Sequence, residues 1–240
     1  MTEITTQSPA TPEMGLIART IGIIVSPRRT FEAVAERPQW LGMLVLTTVL
    51  TAVLMAGFMA TPVGRQAFID KAQQPSALGG TPSEAQMKAV EKIAVYMPYA
   101  YGVGVIVASP IVTAIIAGLA FAVFGAFAGG RATYKQVFAV CTHAGVIGVL
   151  GLLVTTPVNY VRETLESPMN LAVFFPMLDS GSFLSKVLGS IGLFPVWSVM
   201  AFSIGLAVVY RKKTQSVALV LFILYAIIAV GMAALSVARS

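Results

Sequence analysis

Five long intervals without a charged residue constrain this chain more than any other feature. No Asp, Glu, Lys or Arg occurs within residues 38–64, 93–130, 136–161, 187–210 or 214–238. A helix needs about 20 apolar residues to cross the hydrocarbon core of a bilayer, and each interval can contain one such helix. The composition agrees, because only 11% of the residues are charged, whereas soluble domains carry roughly 25%. The sequence predicts an all-α membrane protein, a bundle of five transmembrane helices with N-terminal interfacial amphipathic helices.

The predicted organisation has three parts. Residues 1–13 are polar and are expected to be a disordered tail, and residues 14–39 are expected to form a cytoplasmic amphipathic segment. Residues 40–237 form the membrane domain. The predicted spans are residues 40–60, 101–127, 136–158, 188–210 and 215–237.

Nine of the sixteen basic residues lie in short segments on one side of the predicted spans, and the other seven are spread over longer loops on the other side. Because short basic segments beside spans favour the cytoplasmic side, we expect a cytoplasmic N-terminus and a C-terminus on the outside. The same residues are candidates for contact with lipid headgroups, or serve only to set the topology. They are Arg19, Arg28, Arg29, Arg37, Arg131, Lys135, Arg211, Lys212 and Lys213.

The cytoplasmic segment contains two short predicted helices. In the first, apolar residues recur at helical spacing from Met14 to Ile24, and Arg19 faces elsewhere. Pro27 is suited to the first position of the second helix, with Ser26 as its N-cap. Arg28, which follows directly, opposes the dipole of that helix. Anionic headgroups, which contribute about 1 kcal/mol for each basic residue near the surface, would offset this cost.

Two predicted connections on the other side have structure of their own. Ser83 is a candidate N-cap for a short amphipathic helix that leads into the second span. The run SPMNLAVFFPML, residues 167–178, contains two prolines and no charge. It is too short to cross a bilayer, so it predicts an interfacial or a re-entrant segment.

The predicted spans contain little that could perform chemistry. His143 is the one ionisable side chain in them besides Cys141 and the tyrosines. Such a group is a functional candidate, but no carboxylate or second histidine accompanies it, and packing against a partner such as Thr142 is the favoured interpretation. We therefore predict no catalytic residue, no metal ligand and no cofactor.

Small residues at four-residue spacing are candidates for close helix packing, because they let two backbones approach. We expect them to pack within the chain, and packing between two copies is the alternative. The candidates are Gly118, Gly125, Gly129, Ala144 and Gly148.

Three stretches resemble one known family. They are SPRRTFEAVAERP before the first span, GGRATYKQVFAV between the second and third, and LGSIGLFPVWSVMAFSIGLAVVYRKKTQSVALV across the fourth and fifth. Together with five spans and a cytoplasmic N-terminus, they make residues 15–237 similar to the Yip-one family of Rab/Ypt-interacting membrane proteins, in its bacterial branch.

The resemblance implies a scaffold-like role and no reaction. Eukaryotic members bind Rab GTPases, associate with one another and shape membranes. Their Asp-Leu-Tyr-Gly-Pro motif has no counterpart in residues 1–39, so a Rab GTPase is not an expected partner. For the bacterial branch, the resemblance implies a location in the cytoplasmic membrane and assistance to ABC-type export systems.

The sequence therefore predicts a non-enzymatic integral membrane scaffold or accessory protein. It would bind another membrane protein complex, such as an ABC-type exporter, or shape the bilayer. The expected partners are anionic lipid and a membrane protein, either another protein or a second copy of this chain, and no nucleic acid. The alternative is a small-solute channel or transporter. The polar residues available to line its path are Thr47, Thr48, Ser109, Thr113, Thr142, His143, Thr155 and Asn159.

Overall fold

Helices make up most of the described structure. The computed structural model describes residues 14–73, 82–128, 132–165, 167–179 and 181–237, which form ten α-helices and one short 3-10 helix, Leu171–Phe174. The expected tail, Gly129 and Arg131 lie outside these ranges. The α-helices are α1 Leu16–Val25, α2 Pro27–Glu36, α3 Leu41–Ala60, α4 Pro62–Gln73, α5 Glu84–Ala94, α6 Met97–Ala128, α7 Tyr134–Arg162, α8 Phe183–Ser190, α9 Leu193–Val209 and α10 Thr214–Val237.

Four helices, α3, α6, α7 and α10, are long and apolar enough to cross a membrane. They confirm the predicted class of multi-span all-α membrane protein, while the count of five spans stays a prediction. The predicted span 188–210 needs a correction, because α8 ends at Ser190 and α9 begins only at Leu193. Between them, Gly192 forms an isolated antiparallel bridge with Asn170, which takes this part of the chain out of the helix.

Helix α7 forms the centre of the bundle. It packs against α3, α6 and α9, and also against the two short helices α1 and α2. Of its most apolar stretch, 56% is buried in the protein, compared with 11% for α6. Small and β-branched residues such as Val137, Val140 and Ile147 fill this core. The exposed apolar side chains of α6 and α10 therefore face the bilayer in a protein of this class.

Successive long helices run in alternating directions, and ring contacts show which ends meet. Trp40, just before α3, makes an edge contact with Phe138 in α7 at 5.1 Å between ring centroids. Phe124, near the end of α6, lies 5.9 Å from Tyr210, which follows α9. We call this the basic end, because α1, α2 and the segment Arg211–Lys213 also lie here. Helices α4, α5 and α8 lie toward the opposite end.

Most of the glycines predicted to pack helices do not do so within the chain. A Cβ built at Gly118, Gly125 or Gly148 would meet no atom within 4 Å, outside its own helix backbone. Packing within the chain is therefore wrong for these three, and packing between copies stays a prediction. Ala144, in contrast, is buried in the core of α7.

Candidate interaction site at the basic end

Helix α1 turns its basic residue toward the protein. The Arg19 side chain is only 9% exposed, and its Nη1 donates a hydrogen bond to the carbonyl of Gln39 at 3.1 Å. Ile17, at 76% exposed, and Ile21 point away from the bundle. The predicted periodicity is therefore present, but Arg19 links α1 to the start of α3, and the expected headgroup contact is wrong for this residue.

Helix α2 is attached to the bundle by Phe31. The ring is fully buried, and it occupies a notch in α9 at Gly205. A Cβ at Gly205 would lie 3.0 Å from two atoms of the Phe31 ring and would collide with Val140. Because no other residue lacks a Cβ, the contact between α2 and α9 requires glycine here.

Gln136 forms a hydrogen bond to the C-terminal end of α2. Its Nε2 donates to the carbonyl of Ala35 at 2.9 Å, while its Oε1 accepts from the backbone N–H of Thr133 at 2.9 Å. The second bond belongs to a capping box that begins α7. One side chain thus starts the central helix and satisfies a carbonyl near the end of α2.

The docked helix α2 and the end of α9 enclose a groove with two lobes. A lobe of about 730 Å³ is lined by Glu32, Ala35, Glu36, Gln136, Val208, Val209, Tyr210 and Arg211. A lobe of about 490 Å³ is lined by Arg28, Glu32, Ala207, Val208, Arg211, Lys212 and Lys213. Three residues, Glu32, Val208 and Arg211, line both. We call the first the acidic lobe and the second the basic lobe of one interaction groove.

Arg211 stands between the two lobes in an unusual backbone conformation. Its φ of 52° is in the left-handed region, which costs a residue with a side chain about 1–2 kcal/mol. This conformation belongs to the turn that ends α9. In that turn the N–H of Lys212 donates a hydrogen bond to the carbonyl of Ala207 at 2.9 Å. Glycine would adopt this conformation without that cost, whereas Arg211 adopts it and lines both lobes.

An ion pair in the basic lobe is open to solvent. Arg28 Nε lies 3.3 Å from Glu32 Oε1, and both side chains are more than half exposed. An exposed pair of this kind contributes about 0–1 kcal/mol. Either residue can therefore give up this ion pair for a contact with a ligand at a small cost in free energy.

The structure brings together four of the predicted basic residues and separates the others. Arg28, Arg211, Lys212 and Lys213 share the basic lobe. Arg29 lines a neighbouring cavity between α1 and α2, which shares Glu32 and Glu36 with the interaction groove. Lys135 is exposed in the first turn of α7 and Arg37 follows α2.

His143 is buried in α7 and has one ring nitrogen engaged. Its Nδ1 lies 2.7 Å from the carbonyl of Ala139, so Nδ1 carries the proton, because a carbonyl can only accept. Nε2 has no hydrogen-bond partner among the described residues. The neighbouring Thr142 hydroxyl donates to the same carbonyl at 2.8 Å. Both groups therefore bond within their own helix.

Other polar candidates for a solute path are hydrogen-bonded within the bundle. The hydroxyls of Thr48 and Ser109 join α3 to α6 at 3.1 Å. Thr47 donates to the carbonyl of Met43 in its own helix at 2.9 Å. These groups serve helix packing, and none of the three lines either lobe of the interaction groove.

Sequence reasoning missed Gly205 and Gln136. The signal for Gln136 was present, since a threonine followed three residues later by glutamine is the signature of a capping box. Gly205 carried no comparable signal, because glycine is frequent in membrane helices and only the position of Phe31 distinguishes it from the others.

Comparison with known proteins agrees with the predicted resemblance. The family model of the Yip1 domain matches residues 21–235. Membrane protein YknW of Bacillus subtilis (strain 168) is 30% identical over 188 residues, which is 77% of this chain and 75% of that protein. No solved structure matches the chain significantly. The matched residues include every helix that lines the interaction groove.

Proposed function

This chain belongs to the Yip1-domain family of membrane proteins, and from that premise we propose that it is a non-enzymatic accessory protein. It holds another membrane protein complex, of the class of ABC-type exporters, at the interaction groove. The resemblance described above supplies the class of partner. The single observation that carries the proposal is a groove with lobes of opposite charge on a firmly packed end of the bundle.

The shape and charge of the groove suit a protein segment. Its two lobes follow one another along α2, and they present Glu36 in one lobe and Lys213 in the other. Charges of both signs along one surface select the register and orientation of a protein partner. The floor between them is the apolar residue Val208, which adds burial to the polar contacts.

The test is affinity purification in mild detergent with a matched pair of charge reversals. Glu36→Arg changes the acidic lobe, and Glu91→Arg is its control on the exposed face of α5, near the opposite end. We expect wild type and Glu91→Arg to recover the subunits of one exporter in fixed ratio, and Glu36→Arg to recover much less.

Two results would contradict this proposal. Equal recovery by Glu36→Arg would show that the partner binds elsewhere. Recovery of this protein alone from all three samples would remove the accessory role and favour the alternative, a small-solute channel or transporter. Solute flux into liposomes that contain the purified protein then tests that alternative.

The basic lobe has a second expected partner, the headgroup of an anionic phospholipid. It contains four basic residues beside Ala207 and Val208 in the last turn of α9, so charge and apolar surface meet where that helix ends. Each basic residue near an anionic membrane surface contributes about 1 kcal/mol. This contact would orient the groove at the membrane surface while the acidic lobe stays open.

Two lysine pairs make a matched test of lipid binding. The variant Lys212→Gln with Lys213→Gln is compared with Lys88→Gln with Lys92→Gln on α5. We expect the first pair to lower the amount of anionic phospholipid that copurifies with the protein, measured by mass spectrometry of extracted lipid. Equal losses from both pairs would show that the lipid binds by net charge alone and not at the basic lobe.

A further inference from the structure

Two hydrogen bonds fix the depth of helix α8 beside α10. The Tyr225 hydroxyl donates to the carbonyl of Ser190 at 2.6 Å, and Lys186 Nζ donates to Ser236 Oγ at 2.7 Å. Helix α10 begins at Thr214 at the basic end. With a rise of 1.5 Å per residue, Tyr225 lies about 16 Å and Ser236 about 33 Å along it. Helix α8 therefore runs antiparallel to the second half of α10 and ends near its middle.

The interruption between α8 and α9 lies at the same depth, because Ser190 is the last residue of α8. Helix α9 has 17 residues, which corresponds to about 25 Å and is shorter than a hydrocarbon core of about 30 Å. The eight residues of α8 add about 12 Å. The two helices together have the length of one crossing that is broken at Ile191 and Gly192.

Non-helical backbone at this depth needs partners inside the protein, since lipid offers none. The segment before α8 supplies them. The N–H of Leu171 donates to the carbonyl of Ile191 at 3.0 Å, and the N–H of Leu193 donates to the carbonyl of Met169 at 3.0 Å. These two bonds bring residues 169–171 to the depth of the break and therefore into the region of the bilayer.

The side chains that follow are apolar and uncovered. Val173, Phe174, Phe175 and Met177 are exposed, Phe174 by 75% and Met177 by 78%. A 3-10 helix advances about 2 Å per residue, so Phe174 lies within about 10 Å of the bridge between Asn170 and Gly192 along the chain. In water this cluster would be an unfavourable apolar surface.

We propose that residues 167–179 form a re-entrant segment that enters the bilayer from the end opposite to the basic end. It pairs with the break between α8 and α9 and places Phe174 and Met177 among lipid acyl chains. The segment thus completes a discontinuous fifth crossing and adds apolar volume to one leaflet only. This inference is independent of the partner at the basic end.

Single cysteines test the depth of the segment in the full-length protein. Cys141 is the only cysteine, so Cys141→Ser provides the background. Phe174→Cys and Met177→Cys are compared with Ile115→Cys, exposed on the apolar face of α6, and with Glu91→Cys, exposed on α5. Each variant is reconstituted in liposomes and treated with a membrane-impermeant maleimide.

We expect Phe174→Cys and Met177→Cys to react as slowly as Ile115→Cys, and at least about tenfold more slowly than Glu91→Cys, because apolar surroundings suppress the thiolate. A nitroxide attached in detergent before reconstitution gives a second reading, with higher accessibility to oxygen than to a polar nickel complex. Labelling as fast as at Glu91, or a nitroxide more accessible to the nickel complex, would overturn the proposal.

The contact that sets the depth has its own test. In the Phe174→Cys background, Tyr225→Phe removes the hydrogen bond to Ser190, and Tyr99→Phe is the control at an exposed tyrosine. We expect faster labelling with Tyr225→Phe and no change with Tyr99→Phe. Unchanged labelling with both would show that this bond does not hold the segment in the bilayer.

Discussion

The two ends of the bundle hold their short helices in different ways. At the basic end, α1 packs on α7 and α2 packs on α7 and α9, through buried side chains such as Ile23 and Phe31. Near the opposite end, α5 packs mainly on α4, and α8 packs on α10 and the 3-10 helix. The 3-10 helix and α8 contain no buried residue, and their large apolar side chains, such as Phe174 and Leu184, are exposed.

This difference indicates two kinds of surface. Burial of large side chains in fitted notches gives a firm position to the helices that line the interaction groove. A helix that keeps its apolar side chains outside is stabilised by lipid and not by the protein. We therefore expect substitutions at the basic end to change protein stability, and substitutions of the same type near the opposite end to change lipid contact.

The largest expected difference is between two phenylalanines. Phe31→Ala should lower the free energy of unfolding by about 3–5 kcal/mol, because it empties a filled notch. Phe174→Ala should change it by less than about 0.5 kcal/mol, since this side chain has little protein around it. Denaturant unfolding in mild detergent measures both, and equal effects would break the comparison between the ends.

Two glycines give the next largest difference. Gly205→Ala should destabilise the protein by about 1–3 kcal/mol, because the new methyl group overlaps Val140 and the Phe31 ring. Gly118→Ala meets no atom within 4 Å and should stabilise α6 by up to about 1 kcal/mol. If Gly205→Ala is also stabilising, α2 does not sit in the notch.

The capping boxes at Gln136 and Gln86 allow the two ends to be compared for a single hydrogen bond. Gln136→Glu and Gln86→Glu both keep the acceptor that caps their helices, but Gln136→Glu loses its donor to Ala35. We expect a loss of about 1 kcal/mol at Gln136 and a change within about 0.5 kcal/mol at Gln86. The thermal midpoints in detergent measure this difference, and equal shifts would mean that the bond to Ala35 contributes nothing.

The smallest effect is expected at two left-handed residues, one at each end. Arg211 and Glu163 both have φ near 52°, so replacement of either by glycine should stabilise the protein by about 0.5–1 kcal/mol. Only Arg211→Gly should also reduce partner recovery in the affinity purification, because Arg211 lines both lobes. Full recovery of the partner with Arg211→Gly would show that the Arg211 side chain is not needed for partner binding.

Local signals predicted the parts of this fold that depend on neighbours in sequence. The start of α2 at Pro27 and the capping of α5 by Ser83 are both confirmed, although the Ser26 side chain makes no cap bond to α2; proline at a first helical position and a capping box are signals within one turn. The charge-free intervals located the apolar helices, because hydropathy over about 20 residues suffices for that purpose. The break at Gly192 was not predicted, since its cause is a bridge to a distant residue.

The candidate site shows the same division. The sequence predicted which basic residues lie on the same side of the membrane domain. It did not predict that Arg19 is buried against Gln39, that four others share the basic lobe, or that Arg29 lines another cavity. Side-chain burial depends on which helices pack together, and the charge of Arg19 in the sequence gives no information about its contact with Gln39.

By itself, the sequence determined that the chain is a multi-span helical membrane protein, and it predicted that nine of its sixteen basic residues share one side. Transfer of side chains into hydrocarbon and hydrogen bonding at helix ends are local free energies, which the order of residues specifies directly. The tertiary structure alone decided which glycine receives Phe31, how the lobes form and where the fourth predicted span breaks. Each of these depends on atoms from separate helices meeting at one point, and many helix arrangements satisfy the same hydropathy.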